Sequence, residues 1–71
     1  MRLNVELARE ADGRWRAFVL EMPDVTAHGL DRLEAFRRAE AMALRILAGW
    51  LEQGRPIPGA PAELAVAFSV V

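Results

Sequence analysis

Seventy-one residues make a single domain, and a chain this short buries only about 60% of the surface its unfolded form exposes, so its own core leaves it marginally stable. With no cysteine and one histidine, the sequence holds no disulfide framework, no thiolate metal site and no metal cluster of ordinary spacing. Nine arginines against ten acids, a net charge of −1, argue against the one-signed field that non-specific nucleic-acid or membrane binding needs.

The hydrophobic content of 54% exceeds the roughly 45 to 50% usual for soluble domains. Together with the small size, this predicts a homo-oligomer with buried subunit contacts. Asn4 and Glu6 interrupt any signal peptide, and the most apolar helical run, LRILAGWL, is far shorter than the ~20 residues of a membrane span. The expected location is cytoplasmic, with no membrane contact.

From Arg2 to Leu7, Leu3, Val5 and Leu7 alternate with Arg2, Asn4 and Glu6, the period-2 signature of a strand with one dry and one wet face. Asp12-Gly13 then suits a hairpin turn, and Arg14 to Glu21 reads as the antiparallel return strand. On it Trp15, Ala17 and Val19 point one way and Arg16, Phe18 and Leu20 the other, so neither face is purely polar. Pro23 cannot donate a ladder hydrogen bond and fits a bend at a sheet edge; a short third strand, Val25 to His28, follows before Gly29.

Asp31 and Glu34 stand at capping-box spacing ahead of an apolar-periodic run and open a helix from about Arg32 to Gln53. Its expected buried stripe is Phe36, Ala39, Ala43, Ile46, Leu47 and Trp50, with Glu34, Arg38, Arg45 and Glu52 opposite. Gly54 is placed for the left-handed capping conformation, and the segment RPIPGAP is too proline-rich to continue the helix. The tail ELAVAFSVV alternates Leu64, Val66, Phe68 and Val70 with Ala65, Ala67 and Ser69 and reads as strand four.

These elements predict an α+β fold of order β-β-β-α-β, with one helix on a four-stranded mixed sheet of strand order 3-2-1-4 and a right-handed crossover. One helix covers one face. The other, carrying Arg16, Phe18, Leu20, Ala65 and Ala67, is left as the expected partner or oligomer interface.

Chemistry-bearing motifs are few. His28 has no local Ser, Cys or second His, and the acids Glu21 and Asp24 around Met22-Pro23 are ordinary for a turn. Gly13, Gly29 and Gly54 are explained by turns or caps rather than by a phosphate-cradling loop. No catalytic residue, metal site or cofactor is expected. Arg14, Trp15 and Arg16 interleave basic and aromatic residues as single-strand RNA binders do, and they are the candidate RNA contacts of an alternative reading. Trp15 and Trp50 read first as core or interface anchors.

Taken in order, Asp12, Gly13, Trp15, Ala17, Val19, Met22, Pro23, Gly29, Glu34, Ala35, Gly54, Ile57 and Pro58 resemble the HicB-like antitoxin family across about three quarters of the chain. Members typically carry Asp-Gly, an aromatic-x-Ala-x-Val strand, a Leu-Pro-Gly bend, a glycine before the helix, Glu-Ala within it and Gly-x-x-Ile-Pro after it. Asp24 stands where the bend glycine is usual, and Leu30-Asp31 replaces the common acid-Thr cap, as in a divergent member. The resemblance implies a degenerate ribonuclease-H-like fold. The central part of strand four has no carboxylate, so the resemblance does not bring the catalysis of the active enzymes of that fold. It implies instead a protein-binding role, masking a small RNA-cleaving HicA-type toxin. Full-length members often add a C-terminal DNA-binding module; the expectation here is a stand-alone domain, residues 1 to 71, without one. The alternatives are a small RNA-binding domain and a self-assembling domain with no toxin partner.

Overall fold

A computed structural model describes residues 1–57 and 64–71, so Pro58 and Glu63, at the two ends of the proline-rich connection, lie outside the described residues. The elements are β1 (Arg2–Arg9), β2 (Trp15–Val19), β3 (Met22–Gly29), α1 (Arg32–Glu52) and β4 (Ala67–Val70). They form one mixed sheet of order β3-β2-β1-β4, with β4 parallel to β1, β2 antiparallel to both neighbours, and α1 on one face. The expected order and topology are those observed.

β1 and β2 are joined through a loop closed by a hydrogen bond from the Glu10 N–H to the Arg14 carbonyl at 2.7 Å. Within it the Gly13 N–H reaches the Glu10 carbonyl at 3.0 Å, and Gly13 has φ +89° while Asp12 does not enter the left-handed region. This is a three-residue hairpin loop, a turn followed by a left-handed glycine, rather than a two-residue Asp-Gly turn.

The second hairpin departs further from expectation. β2 ends at Val19, Leu20 and Glu21 form the turn, and β3 starts at Met22 instead of Val25, so Pro23 lies inside a strand. The sheet tolerates it because Phe18 pairs with Thr26 while the next residue, Val19, pairs with Met22. Pro23, Asp24 and Val25 are therefore the unpaired residues of a bulge in an edge strand, with the Val25 side chain still in the core, and there a missing N–H costs no ladder bond.

Asp31 Oδ1 accepts from the Glu34 N–H at 2.8 Å, and Glu34 Oε1 accepts from the Leu30 N–H at 2.9 Å, one residue before the cap that the usual reciprocal bond would reach. At the other end Gly54 adopts φ +69°, its N–H bonds to the Leu51 carbonyl at 3.1 Å, and the Arg55 N–H bonds to the Trp50 carbonyl at 2.9 Å. These two bonds are the Schellman pattern that satisfies the last carbonyls of a helix.

The core lies between α1 and the sheet and is built from Leu3, Val5, Ala17, Val19, Met22, Val25, Ala27, Ala35, Ala39, Ala43 and Leu47. Leu3, Val5, Val19 and Val25 are its largest fully buried side chains, each contributing about 1.5–3 kcal/mol by leaving water. The innermost line of the helix is Ala35, Ala39, Ala43 and Leu47, and the expected members Phe36, Ile46 and Trp50 are only partly buried, at its margins. Alanines let the helix settle close to the strands. Contact is tightest at buried Gly29, where an added Cβ would lie 2.5 Å from the Ala35 backbone nitrogen.

Candidate protein-binding face

The helix seats on β3 and β2 and only grazes β1, and its partly buried Met42 and its Arg38 and Arg45 overhang β3. The opposite sheet face has no second layer among the described elements. Strand register fixes what it presents. Phe18 lies between Glu6 and Thr26, and Arg16 lies between Ala8 and His28. Phe18 is half-buried, with the Arg16 guanidinium 5.4 Å from its ring centroid; Leu20, 47% exposed, and Pro23 complete a shallow depression with Thr26. An aromatic anchor with a stacked arginine and a polar rim has the composition of a protein-recognition surface.

Arg16 is held by more than the ring. Its Nε is out of water, 3.5 Å from Glu10 Oε1, and the same oxygen lies 3.6 Å from His28 Nε2. His28 is exposed, and its backbone carbonyl accepts from Arg38 Nη1 at 2.9 Å. Among the described residues no three His, Asp or Glu side chains gather into a metal-ligating group.

Arg16, Phe18 and Leu20 are brought together. Ala67 shares their face, opposite Arg2, but β1 separates it from β2. Ala65 precedes β4, and its carbonyl accepts from the Met1 nitrogen at 2.6 Å. The five expected interface residues therefore do not form one contiguous patch.

The triplet Arg14, Trp15 and Arg16 is also divided. Trp15 is half-buried on the helix side with Arg32 5.5 Å over its ring, whereas Arg16 points to the far face. Trp50 likewise lies at the core margin under Arg55, at 5.2 Å.

Glu21 and Asp24 do not form an acid–base pair. Both Glu21 carboxylate oxygens are occupied by Asn4, one by its backbone N–H at 2.7 Å and the other by its side-chain amide at 2.6 Å. The backbone bond first, and the side-chain bond second, hold the Glu21 carboxyl below its ordinary value. A carboxylate made more acidic and already bonded twice is a lock between strands.

Leu33, Leu44 and Leu51 were not among the expected interface residues, yet they are 62%, 47% and 54% exposed. Their spacing of 11 and 7 residues places them along one flank of α1, on the side away from Arg38 and Arg45 and so toward β1 and β4. That spacing was the signal that could have found them.

No helix among the described residues is long and apolar enough to cross a membrane. Comparison with protein families, with curated proteins and with solved structures finds no match to this chain.

Proposed function

We propose that this chain is a non-catalytic, cytoplasmic protein-binding domain of the HicB-like antitoxin kind, which masks a small RNA-cleaving HicA-type toxin through the far face of its sheet. The observation that carries this reading is the Phe18 depression: an aromatic ring with arginine stacked on it, beside exposed Leu20 and Pro23, on a face with no covering element among those described. The ordered motif set from Asp12 to Pro58 supplies the partner class. The RNA-binding alternative has less support, since Trp15 and Arg16 point to opposite faces and Trp15 is already stacked by Arg32.

Co-expression with the product of a small neighbouring open reading frame tests the proposal. The expected outcome is a co-purifying complex and relief of toxin-induced growth arrest. No complex and no relief would overturn it, and a filter assay showing RNA retained at low salt by the isolated chain would favour the alternative.

A further inference from the structure

The two edges of this sheet are unlike. β3 is obstructed by Pro23, by the three-residue bulge, and by Arg38, which occupies the outward carbonyl of His28. β4, Ala67–Val70, carries no proline, no charge and no bulge. Edge strands are ordinarily defended by such devices, and a bare one is a template for another strand.

The hydrogen-bond phase of β4 is fixed by its bonds to β1. The Ala67 and Val71 N–H groups bond to the Met1 and Val5 carbonyls, each at 3.0 Å, so odd-numbered residues face inward and the backbone groups of Phe68 and Val70 face outward. Four outward groups in two residues define an antiparallel register with a copy of themselves. Phe68 faces Val70 of the second copy, Val70 faces Phe68, and a two-fold axis passes beside Ser69. In this register both outward residues form hydrogen-bonded pairs, and the two Ser69 residues meet as a non-hydrogen-bonded pair.

Side chains agree with that register. On the helix side, Leu3 and Phe68 share one row and Val5 and Val70 the next, so each apolar row runs on into an apolar row of the second copy. On the far side, the row of Asn4 and Ser69 continues into Ser69 and Asn4. Apolar meets apolar, polar meets polar, and no charge on β4 opposes a like charge. Aromatic and β-branched residues directly opposite one another are the favourable cross-strand pairs.

We infer that β4 is a self-association edge, on which a second copy of this chain adds its own β4 antiparallel about Ser69 to give one continuous eight-stranded sheet. A four-residue edge is a small interface, below the ~1,200 Å² total at which specific, stable interfaces begin, so the dimer exchanges and depends on concentration. This inference does not rest on the toxin reading: the axis stands perpendicular to the sheet, and both Phe18 depressions remain open on the same side.

The experiment uses two variants of the full chain. Val70→Pro removes an N–H that makes no bond among the described residues, so it keeps the β1–β4 ladder while deleting two bonds of the dimer. Sedimentation over a concentration series is expected to show a monomer–dimer equilibrium for the parent. The dissociation constant should be at least about tenfold larger for V70P, whose circular dichroism stays unchanged. In Ser69→Cys the only two thiols of the dimer stand across the axis, about 4.5 Å apart at Cα in a non-hydrogen-bonded pair, within disulfide reach. Oxidation is expected to link S69C subunits at concentrations where Thr26→Cys, exposed on the other edge, stays unlinked. A parent chain that remains monomeric at millimolar concentration would overturn the inference, as would S69C linking no faster than T26C. So would a dimer that persists in V70P and is lost in Phe18→Glu.

Discussion

Asn4 presents its backbone N–H and its side-chain amide to the two oxygens of Glu21, at 2.7 and 2.6 Å, so a carboxylate takes over where the β2 ladder stops. Leu20, one residue earlier, still donates its N–H to the Asn4 carbonyl at 2.9 Å. The side chain thus completes the pairing that the turn into β3 interrupts. Because these bonds depress the Glu21 carboxyl, its stabilising contribution is fully present above the ordinary value of 4.5 and is lost as pH falls through the lower folded value. Glu21→Gln lacks that dependence. The melting temperature of the parent should exceed that of E21Q at neutral pH, and the gap should close on acidification below about pH 4.5. Parallel melts from pH 7 to pH 3 check this, and a constant gap would contradict the assignment.

Gly29 determines how closely the helix start can approach the sheet. A Cβ there would lie 2.5 Å from the Ala35 nitrogen and 2.9 Å from the Glu34 carbonyl carbon, backbone atoms that cannot rotate away. Gly29→Ala should destabilise the fold by about 3 kcal/mol, read from the urea midpoint at unchanged slope.

The two sides of α1 should respond unequally to the same truncation. Leu47, 2% exposed, ends the buried alanine line, and Leu47→Ala should cost about 2–5 kcal/mol. Leu44→Ala, on the exposed flank, should change stability by no more than about 0.5 kcal/mol. Chemical denaturation of both variants decides whether the flank belongs to the core.

Phe18→Ala and Arg16→Ala should weaken the proposed toxin complex, F18A by about 2 kcal/mol or more, with little change in the melting temperature of the free domain. Titration calorimetry against the co-purified partner measures it. Equal loss from Leu33→Ala would move the contact to the helix flank instead.

Element order and both helix caps are legible because each rests on a local signal: alternation around Val5, the Asp31–Glu34 spacing, Gly54 after the last helical turn; the strand order rests instead on the rule for right-handed crossovers. The early start of β3 is not legible, since Pro23 signals a bend locally and only pairing with β2 shows that a bulge can absorb it. In the buried line of the helix Ala39, Ala43 and Leu47 are legible, but the pattern favours Phe36, Ile46 and Trp50 because it weighs large side chains, whereas close packing on the sheet selects Ala35. The far face looked more apolar than it is. Phe18 and Leu20 were visible on β2, but Glu6 and Thr26, which flank the ring, come from neighbours whose register the sequence does not state. Ala65 stands before the strand proper, which begins at Ala67, although its carbonyl still accepts from Met1.

The obstruction of β3 has a bearing on how far assembly could proceed. A sheet with two receptive margins can add subunits head to tail without limit and grow into fibres. Here Pro23 and Arg38 obstruct one margin, so the inferred joining at the other would stop at a closed pair instead of propagating from edge to edge.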